Sequence, residues 1–229
     1  EFKENLKNRD NEIDNAKKTL KEIKKKKHFT TTINKRNLEK NIYELVKLCE
    51  SPITSIRLIG VKKCYQLAKK NNVKVIIEGH CGDELLAGYL NNLIPSYYDK
   101  YGSIKAIDKI FSKSNKEIYG YDKLRDLVFC LNNQGICTSE GTKYLDEKLF
   151  NKNFVKKYSF ANKNYDSKIK NFNFLKRSQY LEYFYYHTPR NLKYLDRLSM
   201  AYGIESRIPY LDHKLVEYCF NLRNEKKIN

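Results

Sequence analysis

Apolar positions three and four residues apart dominate the front of the chain, and a short unbroken apolar run follows them. Ile13, Ala16, Leu20 and Ile23 share one helical face, which predicts a helix over Asp10–Lys27 capped by Asp10 or Asn11. Lys24–Lys27 stand at its C-terminal end, where cations complement the helix dipole. Phe29–Ile33, with three threonines, predicts a strand. Leu38, Ile42, Leu45, Val46 and Cys49 predict a second helix that ends before Ser51–Pro52. A third, carrying Ile56, Ile59, Cys64, Leu67 and Ala68, is predicted over Ser55–Lys70 and stops at Asn71–Asn72.

The stretch VKVIIEGHCGDELLAGY, Val73 to Tyr89, is of a different kind. Val75, Ile76 and Ile77 form a β-branched run that predicts a buried strand. Gly79, His80, Cys81 and Gly82 make a turn, whose two glycines allow positive φ and close approach of backbone to a ligand. Asp83 and Glu84 then open a segment, Glu84–Ala87, that reads as a first helical turn. An acid at that place is also what a plain helix cap looks like. Helices alternating with strands predict an α/β front with a parallel sheet, and ligands of such sheets bind beyond the carboxyl ends of the strands. Free N–H groups suit phosphate and adjacent hard carboxylates suit Mg²⁺. One short turn offering both points to a nucleotide-phosphate site.

Beyond Tyr89 the chain is rich in Tyr, Asn and Lys, with short helical patterns at Ile104–Phe111 and Tyr121–Leu131. Leu181, Phe184, Tyr185, Leu192, Leu195 and Leu198 restore a long helical pattern over Leu175–Met200, which Pro189 is expected to break or restart. Arg190, Asp196 and Arg197 lie near the edge of that stripe. Glu205 and Arg207, on extended spacing, project the same way. Asp212 precedes a final helix carrying Leu215, Val216, Cys219 and Phe220 and is a natural N-cap.

Composition narrows the classes. The chain has 229 residues and a mass of 27.3 kDa, enough to bury a core. It shows no apolar run of membrane length and no signal peptide, so the expectation is a soluble, cytoplasmic protein. The six cysteines contain no C-x-x-C pair, which argues against zinc and disulfides and for buried, reduced thiols. A net charge of +18 raises a nucleic-acid reading, but the lysines are spread through every segment and no arginine-rich recognition helix is present. Ordinary solvated faces explain them better.

EGHCGDELLAGY resembles the SGxGxDExxGGY signature in the synthetase domain of asparagine synthetases and their relatives. A second block, TPRNLKYLDRLSMAYGIESRIPYLDHKLVEYCFNL from Thr188 to Leu222, resembles that family's LPxLLxxxDRxSMAxxxExRxPFLDxxLVE block. The two stand in the family's order. The resemblance implies an adenine nucleotide alpha-hydrolase-like fold: a partial doubly wound parallel sheet followed by a mostly helical region. Its expected parts are an α/β nucleotide-binding portion (1–95), a variable helical region (96–175) and a helical segment (176–229) packing back on the sheet. It implies an ATP- and Mg²⁺-dependent ligase that activates a carboxylate as an acyl-adenylate, releases pyrophosphate and forms an amide with ammonia derived from glutamine.

Residue by residue, the match gives Asp83 as the metal-binding aspartate. Glu78 and Gly79 stand where the family's adenosine-contacting Ser-Gly lies, with Gly82 and Glu84 beside them on the nucleotide. His80, Tyr89, Asp196 and Arg197 become candidate catalytic residues, Tyr89 by positioning or deprotonating the nucleophile. Arg57, in ESPITSIR, and Ser199 become candidate substrate residues; an arginine there can clamp a carboxylate or simply cover a helix surface. Glu205, Arg207 and Asp212 fit a structural salt-bridge network as well as a direct role.

The sequence departs from the family pattern in three places. His80 replaces a glutamate, which points away from aspartate as substrate and toward relatives that amidate other carboxylates. No SGGxDS pyrophosphate loop is present, and the chain stops before the downstream lysine of the family. The expectation is a piece of a longer synthetase, partnered by the pyrophosphate-loop segment and an N-terminal glutaminase, with a homodimer left open. The competing readings are an inactive interaction module of the same fold and a basic nucleic-acid-binding module.

Overall fold

The computed structural model describes residues 12–23, 28–33, 35–134, 151, 153, 169 and 171–228. In chain order its elements begin with α1 (Glu12–Glu22), α2 (Leu38–Cys49), α3 (Arg57–Lys70) and β1 (Val75–Ile77). There follow α4 (Gly82–Leu86), α5 (Leu90–Tyr101), α6 (Ser103–Ile110), α7 (Lys113–Tyr119) and α8 (Tyr121–Gln134). Then come α9 (Phe174–Leu181), a π-helical turn (Glu182–Tyr186), α10 (His187–Ala201), β2 (Glu205–Arg207), α11 (His213–Asn221) and α12 (Asn224–Lys227). The chain divides into two units, one of residues 1–78 and 191–207 and the other of 79–190 and 208–229.

In the first unit, α2 and α3 form where the apolar spacing predicts them. Leu45, Cys49, Leu58, Ile59, Tyr65, Tyr194, Leu198 and Ile204 are buried together. Each large side chain so buried contributes about 1.5–3 kcal/mol. The Tyr194 hydroxyl donates to the Pro52 carbonyl at 2.9 Å, pairing a polar group that burial would otherwise penalise. Lys62 is buried as well, its ammonium donating to Glu44 at 2.6 Å and Asn41 at 2.9 Å. The caps Asp10 and Asn11 and the lysines Lys24–Lys27 lie outside the described residues.

β1 and β2 pair in parallel, Val75 opposite Glu205, Ile76 opposite Ser206 and Ile77 opposite Arg207. Parallel pairing agrees with the α/β expectation. A doubly wound sheet needs more strands than these two, which make up the sheet among the described residues. The expectation of a buried strand is corrected: Val75 is 40% and Ile77 75% exposed. Alternate side chains take opposite faces, so only Ile76 turns to the core. Phe29–Ile33 is also corrected, since it forms no strand. Threonine-rich β-propensity needs a neighbour to pair with, and here Phe29 is exposed while Ile33 alone packs on the core.

The described residues of the second unit are mainly helical. Ile94, Tyr98, Ala106, Ile110, Leu124, Leu127, Val128 and Leu131 make its main core. The apolar spacing does not predict α5, which holds Pro95 inside it; the Ser96 hydroxyl donates to the Leu93 carbonyl at 2.8 Å in the turn that proline disrupts. Pro189 does not end the helix either. The helix runs on through it to Ala201, after a π turn that ends at Tyr186, where His187 N–H bonds the Glu182 carbonyl. Asp212 caps α11 as expected, accepting from Lys214 and Leu215 N–H at 3.0 and 3.1 Å. Among the described cysteines, 49, 81 and 219 are buried thiols and Cys64 is exposed. Much of the expected variable region, residues 135–150 and 154–168, lies outside the described residues.

Candidate functional site

In the first unit the backbone N–H of Glu78 adds a last rung to the ladder, bonding the Arg207 carbonyl at 2.9 Å. The Glu78 carboxylate accepts from the Ser206 hydroxyl at 2.6 Å and from the Tyr65 hydroxyl. Burial, with Glu78 adding to it, drives the Tyr65 hydroxyl far above its ordinary value. Arg57 is exposed at the start of α3, where its N–H bonds the Ser55 hydroxyl at 3.2 Å. Asp196 and Arg197 are exposed on α10, and Arg197 pairs with Glu50 at 3.1 Å. Ser199 is buried, its hydroxyl turned back on the Asp196 carbonyl at 3.2 Å. Glu205 and Arg207 share a face, as their spacing predicts, and bond at 2.8 Å in the open.

The turn after β1 in sequence belongs to the second unit. Its left-handed residue is Cys81 (φ 70°), not a glycine, and Cys81 occupies the cap position of α4 without a side-chain cap bond. The expectation that Asp83 or Glu84 caps this helix is therefore corrected: both lie inside its first turn. Burial pushes the Cys81 thiol up to about 11, which keeps it protonated. His80 is half-buried. Around Gly79 no atom lies within 4 Å of where a side chain would be, whereas a β-carbon on Gly82 would meet the Tyr210 ring at 3.2 Å.

α4 is a single turn that ends at Ala87, again left-handed (φ 62°). Its two acids go opposite ways. Asp83 is exposed, and its carboxylate lies over Gly88, whose N–H bonds the Asp83 carbonyl at 2.9 Å. Glu84 is 2% exposed. It accepts from the Tyr89 hydroxyl at 2.9 Å and pairs with His187 Nδ1. Burial pushes the Glu84 carboxyl up, but hydrogen bonds from His187, the backbone and Tyr89 outweigh it and hold it below the usual range. His187 is raised in turn, chiefly by its bond to Glu84. The Tyr89 hydroxyl is driven far up by burial and by Glu84. Buried Gln179 closes the helix, donating to the Leu85 carbonyl at 2.8 Å and the Glu84 carbonyl at 3.3 Å.

A family model described as Asparagine synthase matches residues 1–229. The chain belongs to the asparagine synthase family. Neither the curated proteins nor the solved structures give a match. The asparagine synthase family is one of ATP-dependent, amide-forming ligases, and the family implies a ligase-type enzyme in the protein that carries this chain.

Among the described residues of this asparagine synthase family member, no three His, Cys, Asp or Glu side chains converge to hold a metal ion. No described helix is long and apolar enough to cross a membrane. His187 is the residue that sequence reasoning missed. It stands one place ahead of the second motif block, and Glu84 is 103 positions away. The one local signal is a lone histidine directly before Thr188–Pro189.

Proposed function

We propose that the protein carrying this chain uses ATP to activate a carboxylate as an acyl-adenylate, releases pyrophosphate, and passes ammonia to the acyl group to form an amide. The observation that carries this reading is Asp83. Within a family of ATP-dependent ligases it is the acid of its turn that faces solvent, while its neighbour Glu84 is committed inward. A single exposed carboxylate suits Mg²⁺, which keeps several waters and takes one or two carboxylates together with substrate phosphates. When bound, the ion would neutralise charge on the polyphosphate and the departing pyrophosphate.

The remaining roles fall to this chain's own groups. The open space around Gly79 admits a ligand against the backbone. Tyr89, whose hydroxyl stays protonated and donates to Glu84, acts by positioning rather than as a base. An imidazole at His80 in place of a carboxylate changes the charge offered to the acyl substrate, which favours an acid other than aspartate. Glu78, already bound by two hydroxyls, is a fixed acceptor rather than a mobile acid.

The test is product stoichiometry in the full-length protein, with ammonia and a panel of carboxylic acids. AMP and pyrophosphate in equal amounts with the amide support the reading. ADP and phosphate, or no carboxylate-dependent ATP cleavage, overturn it.

A further inference from the structure

Half-buried Tyr89 and His187 close on the buried carboxylate of Glu84, a cluster that neither sequence motif brings together. Glu84 Oε1 lies 2.9 Å from the Tyr89 oxygen and is paired with His187 Nδ1, and those two partners are 3.1 Å apart. The carboxylate is an acceptor only, so the arrangement is satisfied when Tyr89 O–H and His187 Nδ1–H both donate to it. A carboxylate this deeply buried needs hydrogen-bond donors, and these two partners supply them. The rings of Tyr89 and His187 meet edge to face with centroids 5.4 Å apart, which fixes their mutual orientation.

What the cluster holds is a segment with little stability of its own. A five-residue helix is far below the length that sustains itself. Left-handed Cys81 and Ala87 on either side both hold conformations that strain a residue other than glycine. Ties from elsewhere in the unit must supply the difference. Gln179 supplies one, through the Glu84 and Leu85 carbonyls. His187 supplies the other, through the Glu84 side chain. Its aim depends on the π turn Glu182–Tyr186. That turn adds one residue to the helical repeat and rotates the following side chains by about 100° relative to a continuous α-helix.

We propose that His187 is a positioning residue of this site: by holding Glu84 it sets both the Tyr89 hydroxyl and the turn that presents Asp83. The importance of that turn rests on the proposed function; the cluster itself does not. A carboxylate paired with a histidine ring nitrogen fixes the orientation of both groups, and partners that orient ligating groups from behind are worth about 10- to 100-fold.

Kinetics and NMR on the full-length protein test this. His187→Ala should lower kcat for carboxylate-dependent pyrophosphate release by about 10- to 100-fold, with KM for ATP near the wild-type value. His187→Asn, whose amide can donate in place of Nδ1, should recover most of it. In the wild-type protein the His187 Nδ1 proton should appear as a far-downfield resonance that Glu84→Gln removes. Wild-type kcat in His187→Ala, or an unprotonated Nδ1 in the wild type, overturns the proposal. If His187→Ala does not fold, the asparagine variant and the resonance decide. If wild-type protein releases no pyrophosphate with any carboxylate, the proposed function fails, and the resonance, present or absent, still decides the cluster.

Discussion

Gly88 lies directly beneath the carboxylate of Asp83: a β-carbon on it would stand 2.8 Å from the Asp83 carboxyl carbon and 3.1 Å from the Asp83 α-carbon. The glycine is there for its missing side chain, because real β-carbons do not approach that closely. Gly88→Ala should therefore push the Asp83 side chain aside while leaving the fold in place, since Asp83 is exposed and can swing into solvent. The expected result is at least a tenfold loss of ATP-dependent pyrophosphate release with a stability cost of about 1 kcal/mol. Parallel kinetics and denaturant melts check it, and a wild-type rate would show that the pose of Asp83 is immaterial.

Lys62 and Glu44 give an asymmetric pair. Lys62 is 1% exposed and Glu44 is at the surface. Removing the glutamate leaves a buried ammonium with only Asn41 as partner, whereas removing the lysine leaves an acid that water can reach. Glu44→Ala should destabilise by about 3 kcal/mol, and Lys62→Met by well under half of that. Urea melts of the two variants and of the double variant provide the measurement; equal losses would mean that the burial of Lys62 does not set the cost.

Asp99 ties the start of α9 to the end of the chain's described part. Its two oxygens accept the N–H groups of Phe174 and Leu175, each at 2.9 Å, and the Asn224 amide at 3.0 Å. Asp99→Ala leaves two orphan donors at a helix N-terminus, and a loss of about 1–2 kcal/mol is expected in thermal or urea unfolding.

These contacts mark the boundary of what the sequence discloses. α2 and α3, the Asp212 cap and the shared face of Glu205 and Arg207 are local consequences of spacing, and each was legible. Asn173, which caps α9 through the Lys176 N–H at 2.8 Å, is of the same local kind. Asp99 was not legible as a cap, because its helix begins 75 residues later. Glu84 read as a companion of Asp83 because adjacency in sequence conceals that Tyr89 and His187 have taken its oxygen. Glycines adopt a left-handed turn without strain and so draw the expectation, yet Cys81 adopts it here. Ile77 read as buried because an apolar run says nothing of how many strands flank it.

Lys227 gives the clearest dependence on pH. Burial brings its ammonium down to about 8; Cys219 opposes that shift and Lys176 adds to it, while Gln179 accepts from the amine at 3.0 Å. The unfolded chain holds this proton up to about 10.4. Between those values the unfolded state binds more protons, so Lys227 makes stability rise with pH across that window and gives no slope below it. Relative to Lys227→Met, the wild-type protein should gain stability from pH 7 to pH 10 in urea melts. A difference that stays constant would mean the amine titrates normally.

Whether Asp83 presents its carboxylate to a metal–nucleotide complex is decided by one rate. That rate is carboxylate-dependent pyrophosphate release from ATP by full-length Asp83→Asn, an isosteric change that keeps the turn and removes the charge. A fall of at least about 100-fold is expected at saturating Mg²⁺, in line with loss of a group that holds the metal. An undiminished rate would contradict it.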